Sequence, residues 1–177
     1  MAENRRVRMT KQLMKDALLE LMETKQFEKI KVTDLCSAAD VNRSTFYAYY
    51  SDIQDLLGEI EDSLLESLPG LEQKGGTGKG QFLSDLEKYF EFVKRNKRLF
   101  YILVVRRSSD SFNRRLIEAV MERYGHDTLS QSDRYTYTFC VSGVLGILKD
   151  WIAGDFPMPS REFAALVLER CTKATEA

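Results

Sequence analysis

Four consecutive polar residues, Asn42, Arg43, Ser44 and Thr45, open a short helical pattern in the first third of the chain. An arginine guanidinium can donate two hydrogen bonds to a guanine edge, and a serine or threonine hydroxyl can donate or accept. Side chains of these types at the start of an exposed helix are suited to recognising base edges. The run therefore predicts nucleic-acid binding rather than catalysis, with an ordinary exposed arginine as the alternative for Arg43.

Aromatic residues follow this polar run at helical spacing. Phe46 and Tyr50 are four residues apart, so they share one face of a helix and are expected to pack inward. Tyr47 and Tyr49 then point away from the core, where a phenol can reach a phosphate. Exposed aromatic rings beside Arg43 make little sense on a surface that meets only water. We therefore predict that both outward tyrosines contact DNA, and a packing role is the alternative for Tyr49.

Residues that carry enzymatic or metal chemistry are sparse. The three cysteines, Cys36, Cys140 and Cys171, are far apart, no CxxC pair exists, and His126 is the single histidine. This argues against a zinc site and a disulfide framework and favours three reduced thiols. The segment GGTGKG at 75–80 lacks the first glycine and the Ser or Thr of a phosphate-binding loop. We expect no catalysis, no metal and no cofactor.

Two short helices joined by a tight turn position the polar run. Val32 to Ala39 predicts one helix, Asp40-Val41-Asn42 the turn, and about 44–50 the second helix. This is the pattern of a helix-turn-helix, whose second helix enters the major groove of double-stranded DNA. Residues 1–50 are therefore predicted to form a DNA-binding domain.

The start of the chain is basic although the whole chain has a net charge of −1. Residues 1–15 hold five basic residues against one acidic residue, whereas 51–68 hold acidic residues and no base. A basic tip of this kind can bind phosphate. We predict a helix from Lys11 to Thr24, capped by Thr10, with its apolar face at Leu13, Ala17, Leu18, Leu21 and Met22. Before it lies an arm whose Arg5, Arg6 and Arg8 either contact DNA or are merely solvated.

The remaining patterns are helical as well, which predicts an all-α fold of about nine helices. A fourth helix at 52–68, capped by Ser51 or Asp52, is expected to connect the DNA-binding domain to the rest of the chain. Its predicted apolar stripe is Ile53, Leu56, Leu57, Ile60, Leu64 and Leu68. A glycine-rich linker is predicted at 69–80, and a C-terminal helical bundle at 81–177. Its predicted helices are 81–95, 97–107, 110–125, 132–153 and 159–174.

The segment 132–153 is apolar around most of its circumference, which predicts that it is covered on several sides. A second subunit is one natural cover, and Gly143 and Gly146 would permit close approach of another backbone. The central helix of a monomeric bundle has the same pattern and is the alternative. No stretch reaches about 18 apolar residues, and the charged N-terminus lacks a secretory signal, so a cytoplasmic protein without membrane contact is expected.

Residues 8–68 resemble the N-terminal domain of the TetR/AcrR family of bacterial regulators. The resemblance rests on FEKIKVTDLCSAADVNRSTFYAYYSDIQDLLGEI, with STFYAYY as its most specific part, and WIAGDFPMPSREFAALV resembles the C-terminal region of a TetR subgroup. It implies a homodimeric, ligand-responsive transcriptional repressor that binds a near-palindromic operator. It also implies a helical ligand-binding and dimerising body, in which 132–153 and 159–174 form the dimer interface.

The resemblance also assigns site residues. The positions that match DNA contacts in the family are Arg43, Ser44, Thr45, Tyr47, Tyr49 and Thr33. Two departures are present. Lys31 stands where a hydroxyl residue often opens the second helix, so Thr33 could start that helix or its cap could be lost, although Lys31 could contact phosphate. Ser51-Asp52-Ile53 stands where many members carry a base, which leaves more of the phosphate contact to the arm.

An apolar pocket in the body is a further expectation, because members of the family bind small apolar or aromatic ligands. Aromatic residues at helical spacing more often form the core than a ligand site. Only the family resemblance favours a ligand pocket here. The candidate lining residues are Tyr89, Phe100, Tyr101, Phe112, Met121, Tyr124 and Phe139, with Phe82 and Phe90 as further aromatic candidates. The competing hypothesis for the whole chain is a helical dimeric adaptor that binds a protein partner without reading DNA sequence.

Overall fold

The structure is a computed structural model that describes residues 5–69, 79–123 and 130–175, and its regular elements there are all helical. The helices are α1 (Arg5–Thr24), α2 (Val32–Ala38), α3 (Arg43–Tyr47), α4 (Ile53–Glu66), α5 (Lys79–Arg95), α6 (Lys97–Phe100), α7 (Asp110–Arg123), α8 (Gln131–Ala153) and α9 (Ser160–Thr175). A 3₁₀ turn at Phe27–Lys29 and a π-helical segment at Tyr101–Arg106 complete them. The prediction of an all-α fold is confirmed.

The chain divides into two compact units, Met1–Glu66 and Ser67–Ala177, which we call the head and the body. The head contains α1 to α4, so α4 belongs to the same compact unit as the helix-turn-helix. The predicted linker at 69–80 falls mostly outside the described residues, since α5 already begins at Lys79.

The core of the head is built from the faces of α1 and α4. The predicted stripe of α4 is confirmed within the helix, because Ile53, Leu56, Leu57, Ile60 and Leu64 are buried. Leu68 is buried too, but it follows the end of α4. On α1 the buried face is centred on Met14, Leu18 and Met22. Leu13, which was assigned to that face, is instead 52% exposed. It stands one position before Met14, and a step of one residue turns a side chain by about 100° around a helix.

The first helix begins earlier than its apolar pattern predicts. In the described chain α1 already includes Arg5, and Thr10 lies inside it, where its hydroxyl donates a hydrogen bond to the carbonyl of Arg6 at 3.0 Å. Thr10 is therefore not the cap. Arg5 and Arg8 accordingly lie on the first turns of a helix rather than on an irregular arm.

The turn between α2 and α3 has a defined C-terminal cap. Asp40 adopts a left-handed conformation with φ 51°, and the N–H of Val41 donates to the carbonyl of Cys36 at 3.0 Å. This six-to-one hydrogen bond is the signature of a Schellman motif, which normally places glycine at the left-handed position. Aspartate tolerates that conformation better than most residues. The cap sets the direction in which α3 leaves α2.

An aromatic cluster joins α5, α8 and α9 in the body. The ring of Trp151 stacks on Phe163 with centroids 4.4 Å apart and an interplanar angle of 3°. Phe90 meets Phe163 edge to face at 4.7 Å, and Phe156 meets Trp151 in the same way. The indole N–H of Trp151 donates to the carbonyl of Met158 at 2.8 Å. The segment between α8 and α9 is therefore anchored by rings and a hydrogen bond.

Candidate nucleic-acid interface

The outward surface of α3 carries the predicted recognition residues. Arg43 and Ser44 are exposed, Thr45 is half-buried, and Tyr47 is 59% exposed. Beneath them Phe46 is fully buried, and its ring meets that of Tyr47 edge to face with centroids 5.4 Å apart. The expected division of this helix into an outward polar face and an inward aromatic face is present.

The end of α3 differs from the expectation. The helix stops at Tyr47 instead of Tyr50, and the N–H groups of Tyr49 and Tyr50 both donate to the carbonyl of Phe46 at 3.0 Å. Tyr50 is buried as predicted, whereas Tyr49 is only half-buried on the tight turn that follows. The side chain of Tyr49 is therefore only partly accessible to a partner.

The recognition side chains are available for a partner. Arg43, Ser44 and Tyr47 make no side-chain hydrogen bond or ion pair with any residue in the described ranges. The charge of Arg43 acts on the thiol of Cys36. Burial raises the pKa of Cys36, and the guanidinium of Arg43 offsets only part of this increase. A cation and two hydroxyls are thus displayed on one exposed helix start.

The start of α2 holds Lys31 and Thr33 on the surface. Lys31 is the N-cap, and its side chain makes no capping bond. Asp34 completes half of a capping box instead, because its carboxylate accepts the N–H of Lys31 at 3.4 Å and pairs with Lys25 Nζ at 3.1 Å. The hydrogen bond from Lys25 lowers the pKa of Asp34, and the backbone N–H of Lys31 adds to this. Thr33 follows this cap, exposed, in the first turn of α2.

Asp34 was missed by the sequence analysis, although an acidic residue three positions after a helix start is its ordinary signal. The Asp34 carboxylate accepts the N–H of the N-cap residue Lys31, and the helix opens at Val32 without a hydroxyl cap. Thr33 therefore does not start this helix, and the other alternative, a lost side-chain cap, is the one present.

The acidic residues after α3 serve the start of α4. Asp52 accepts the N–H of Asp55 at 2.8 Å, and the Asp55 carboxylate accepts the N–H of Ser51 at 2.9 Å and its hydroxyl at 3.2 Å. These are the reciprocal bonds of an N-terminal cap. Ser51 and Asp52 thus have a local role in capping α4, which explains why no basic residue stands at these positions.

The basic start of the chain is partly neutralised within the head. Lys11 and Lys15 both pair with the carboxylate of Glu59 on α4, at 3.2 and 2.9 Å. Burial alone would raise the pKa of Glu59, but hydrogen bonds from Lys15 and Lys11, the charge of Lys15 and a hydrogen bond from Tyr50 together lower it. Arg5, Arg6 and Arg8 are exposed on the first turns of α1.

A separate apolar cavity of about 230 Å³ lies within the body, between α5, α7, α8 and α9. Of the predicted pocket residues, Tyr89 lines it, together with Phe82 and Phe90. The helices α7 and α8 contribute most of the remaining wall through aliphatic side chains such as Leu116 and Val144.

Several predicted pocket residues lie elsewhere. Phe100 and Phe112 are fully buried in the core and do not line the cavity. Tyr101 and Phe139 are 41% and 71% exposed, because they stand on the outer faces of their helices. The side chain of Met121 and the whole of Tyr124 lie outside the described residues.

Comparisons with known proteins agree with this architecture. Residues 16–60 match the model of the family described as "Bacterial regulatory proteins, tetR family", and residues 81–170 match the one described as "Transcriptional regulator C-terminal region". A search of the curated proteins gave no match. No helix in the described part of the chain is long and apolar enough to cross a membrane.

Two solved structures share the fold. A TetR transcriptional regulator from Streptococcus agalactiae 2603V superposes with a TM-score of 0.71 at 22% identity, over 94% of this chain and 96% of that chain. A protein described as the dihydroxyacetone kinase operon activator DhaS gives 0.55 at 16% identity, over the same shares of the two chains. Because the C-terminal model alone spans half of the residues and the N-terminal model covers the helix-turn-helix, the chain belongs to the TetR family of transcriptional regulators.

Proposed function

We propose that this chain is a ligand-responsive repressor that binds a near-palindromic operator as a homodimer. The observation that carries the proposal is the outward surface of α3. There Arg43, Ser44 and Tyr47 are exposed, and their side chains make no hydrogen bond or ion pair within the described residues. The two copies of α3 would enter successive major grooves with centres about 34–36 Å apart. The protein regulates by occupying DNA and performs no catalysis itself.

Specificity would come from the first turn of α3 and its neighbours. Arg43 is placed to donate to a guanine edge, and the hydroxyls of Ser44 and Thr45 to contact adjacent bases or phosphates. Tyr47 and Tyr49, with Lys31 and Thr33 at the start of α2, would position the head through the phosphate backbone. The arginines of the first turns of α1 would add further phosphate contacts.

The dimer is proposed to form through α8 and α9. The outer face of α8 displays Tyr135, Phe139 and Ile147, which are 68%, 71% and 36% exposed. Gly143 and Gly146 lie between them, and a Cβ at either position would meet nothing within 4 Å. An aromatic and small-residue stripe of this kind is suited to close helix packing against a second copy of the chain.

A small apolar ligand is proposed to control the affinity for DNA. The body cavity of about 230 Å³ has an almost wholly apolar wall and fits a compact molecule. A ligand that favours another spacing of the two heads would weaken operator binding, with a coupling of about 1–3 kcal/mol. The helix α4 is the proposed lever, because the chain enters the body directly after it.

Selection of bound duplexes from a random pool tests the proposal. The chain should enrich a near-palindrome, and Arg43→Ala should cost about 1–3 kcal/mol and relax the preference at one base pair of each half-site. The matched control is Arg114→Ala, since Arg114 is an exposed arginine on α7 of the body. Weak binding without enrichment of any sequence would instead support the adaptor hypothesis.

The direction of regulation is tested separately. One of the two similar structures is described as an operon activator. A reporter driven by a promoter that contains the selected palindrome should fall in expression when the chain is supplied. A rise in expression would contradict repression while leaving sequence-specific binding intact.

A further inference from the structure

Two cysteines meet on the wall of the body cavity. Cys140 lies on α8 and Cys171 on α9, both thiols are reduced and half-buried, and both line the cavity. The two thiols also interact electrostatically, since Cys140 contributes to raising the pKa of the Cys171 thiol. The third cysteine, Cys36, is buried in the head. The two cysteines are 31 positions apart in the sequence, so their proximity could not be predicted from it. The packing of α8 on α9 brings them together.

We propose that Cys140 and Cys171 form a reversible disulfide when an organic hydroperoxide enters the body cavity. Both thiols line one cavity from two packed helices, so a small movement of their side chains would bring them to the close Cβ separation of a disulfide. The bond would join α8 to α9 covalently and change the wall of the cavity. Reduction by an external thiol would restore both side chains.

The reaction proceeds in two balanced steps. The thiolate of Cys140 attacks one peroxide oxygen; a sulfur–oxygen bond forms, the oxygen–oxygen bond breaks, and the leaving alkoxide takes a proton to become an alcohol. The sulfur of Cys171 then attacks the sulfenic sulfur of Cys140. A disulfide forms, the sulfur–oxygen bond breaks, and the hydroxide leaves as water with the proton of Cys171. Two thiols are oxidised and one hydroperoxide is reduced.

The surroundings assign the order of the two thiols. Burial, followed by the charge of Cys140 and the hydrogen bond to it, raises the pKa of Cys171 to about 12. A thiolate rather than a thiol is the nucleophile, so Cys140 reacts first and Cys171 resolves the intermediate.

The composition of the wall selects the class of oxidant. Apart from the two thiols, the polar side chains that line the cavity are the hydroxyls of Tyr89, Tyr137 and Thr172, and none of the lining residues is charged. Aliphatic and aromatic groups form the rest. An oxidant with an apolar body gains burial there, whereas hydrogen peroxide gains none. We therefore expect an aryl or alkyl hydroperoxide to be the effective reagent.

Peptide mapping of the purified full chain tests the site. After treatment with cumene hydroperoxide and blocking of the remaining thiols, the peptides of Cys140 and Cys171 should appear joined, with the mass lower by two hydrogens. The matched control Cys36→Ser should give the same product, and an equal concentration of hydrogen peroxide should give it more slowly. Recovery of both cysteines as blocked free thiols, or joined to Cys36 or to a second chain, would overturn the proposal.

Single variants test the order of reaction. Cys171→Ser should leave a sulfenic acid on Cys140 that dimedone traps, whereas Cys140→Ser should leave Cys171 unlabelled. Labelling of Cys171 in the second variant would reverse the assignment. If either variant fails to fold, peptide mapping of the unaltered chain still tests whether the disulfide forms.

The regulatory consequence rests on the proposed function. Since α8 and α9 also carry the proposed dimer face, the oxidised chain should bind its selected operator about tenfold more weakly, and a reductant should restore the affinity. A disulfide that forms without changing this affinity would overturn the regulatory link alone. Failure of the reduced chain to bind any sequence would overturn the proposed function while the mapped disulfide stands.

Discussion

The ammonium of Lys15 on α1 lies 2.9 Å from Glu59 on α4, and Lys11 pairs with the other carboxylate oxygen at 3.2 Å. The Lys11 ammonium also lies 5.6 Å from the centre of the Tyr50 ring. These contacts tie the first helix of the head to the fourth and to the end of the helix-turn-helix. Two of the basic residues near the chain start are therefore engaged in ion pairs within the head.

Loss of this cluster should destabilise the head and change its pH dependence. Glu59→Gln is expected to lower the free energy of unfolding by about 1 kcal/mol, since partly exposed ion pairs contribute no more. The folded state lowers the pKa of Glu59 from its ordinary value of 4.5, so its contribution is present above that pH and is lost as the pH falls through the folded value. The variant should therefore show a flatter decline of stability with acid.

Chemical denaturation at pH 7 measures the loss of stability. Repeating it between about pH 5 and pH 3, the range in which glutamate side chains titrate, measures the change in acid sensitivity. Glu20→Gln is the matched control, because Glu20 is an exposed glutamate on α1. Equal acid sensitivity of the unaltered chain and Glu59→Gln would show that Glu59 does not contribute in this way.

The arginines on the first turns of α1 should supply phosphate contacts. Arg5→Ala combined with Arg6→Ala is expected to weaken binding to all duplexes and to reduce the slope of log affinity against log salt by about 0.9 per lost contact. Titration of a labelled operator at several salt concentrations gives this slope. Arg114→Ala should leave it unchanged, and an unchanged slope in the double variant would show that these arginines do not touch DNA.

The left-handed residue in the helix-turn-helix should respond in opposite directions to two substitutions. Asp40 has φ 51° in the Schellman cap, so Asp40→Val is expected to cost about 1–2 kcal/mol of stability or more. Asp40→Gly should be neutral or stabilising, because glycine adopts this conformation without strain. Thermal unfolding of the three chains measures the difference. Equal losses for valine and glycine would mean that the aspartate side chain, not the backbone conformation, matters.

The outer face of α8 should control the oligomeric state. Phe139→Glu places a charge in the middle of the proposed interface and is expected to weaken dimerisation by at least about tenfold, the effect of a buried unpaired charge. Sedimentation at several concentrations measures the change. Tyr101→Glu is the control, as Tyr101 is an exposed aromatic residue of the body that lies off α8. Dimers of undiminished affinity in Phe139→Glu would place the interface elsewhere.

The sequence was informative where spacing alone decides the structure. The four-residue interval between Phe46 and Tyr50 predicted that both rings are buried, and the apolar spacing predicted the buried stripe of α4 from Ile53 to Leu64. The turn composition at Asp40 likewise located the break between α2 and α3. These features are local, because each depends on residues within one or two helical turns.

Features that depend on distant partners could not be predicted in this way. The arginine-rich start of α1 has no apolar periodicity, so its helical state was missed. Which aromatic side chains line the cavity depends on how α5 and α7 to α9 pack, so Phe100 was assigned to the pocket although it lies in the core. The pairing of Lys15 with Glu59 joins positions 44 residues apart, which no pattern along the chain reveals.

Trp151, stacked on Phe163 in the body, is the only tryptophan of the chain. Its emission should therefore follow the melting of the body and remain silent when the head alone unfolds, while circular dichroism follows the helices of both units. If the two signals change at different denaturant concentrations, their separation measures how independently the head and the body unfold.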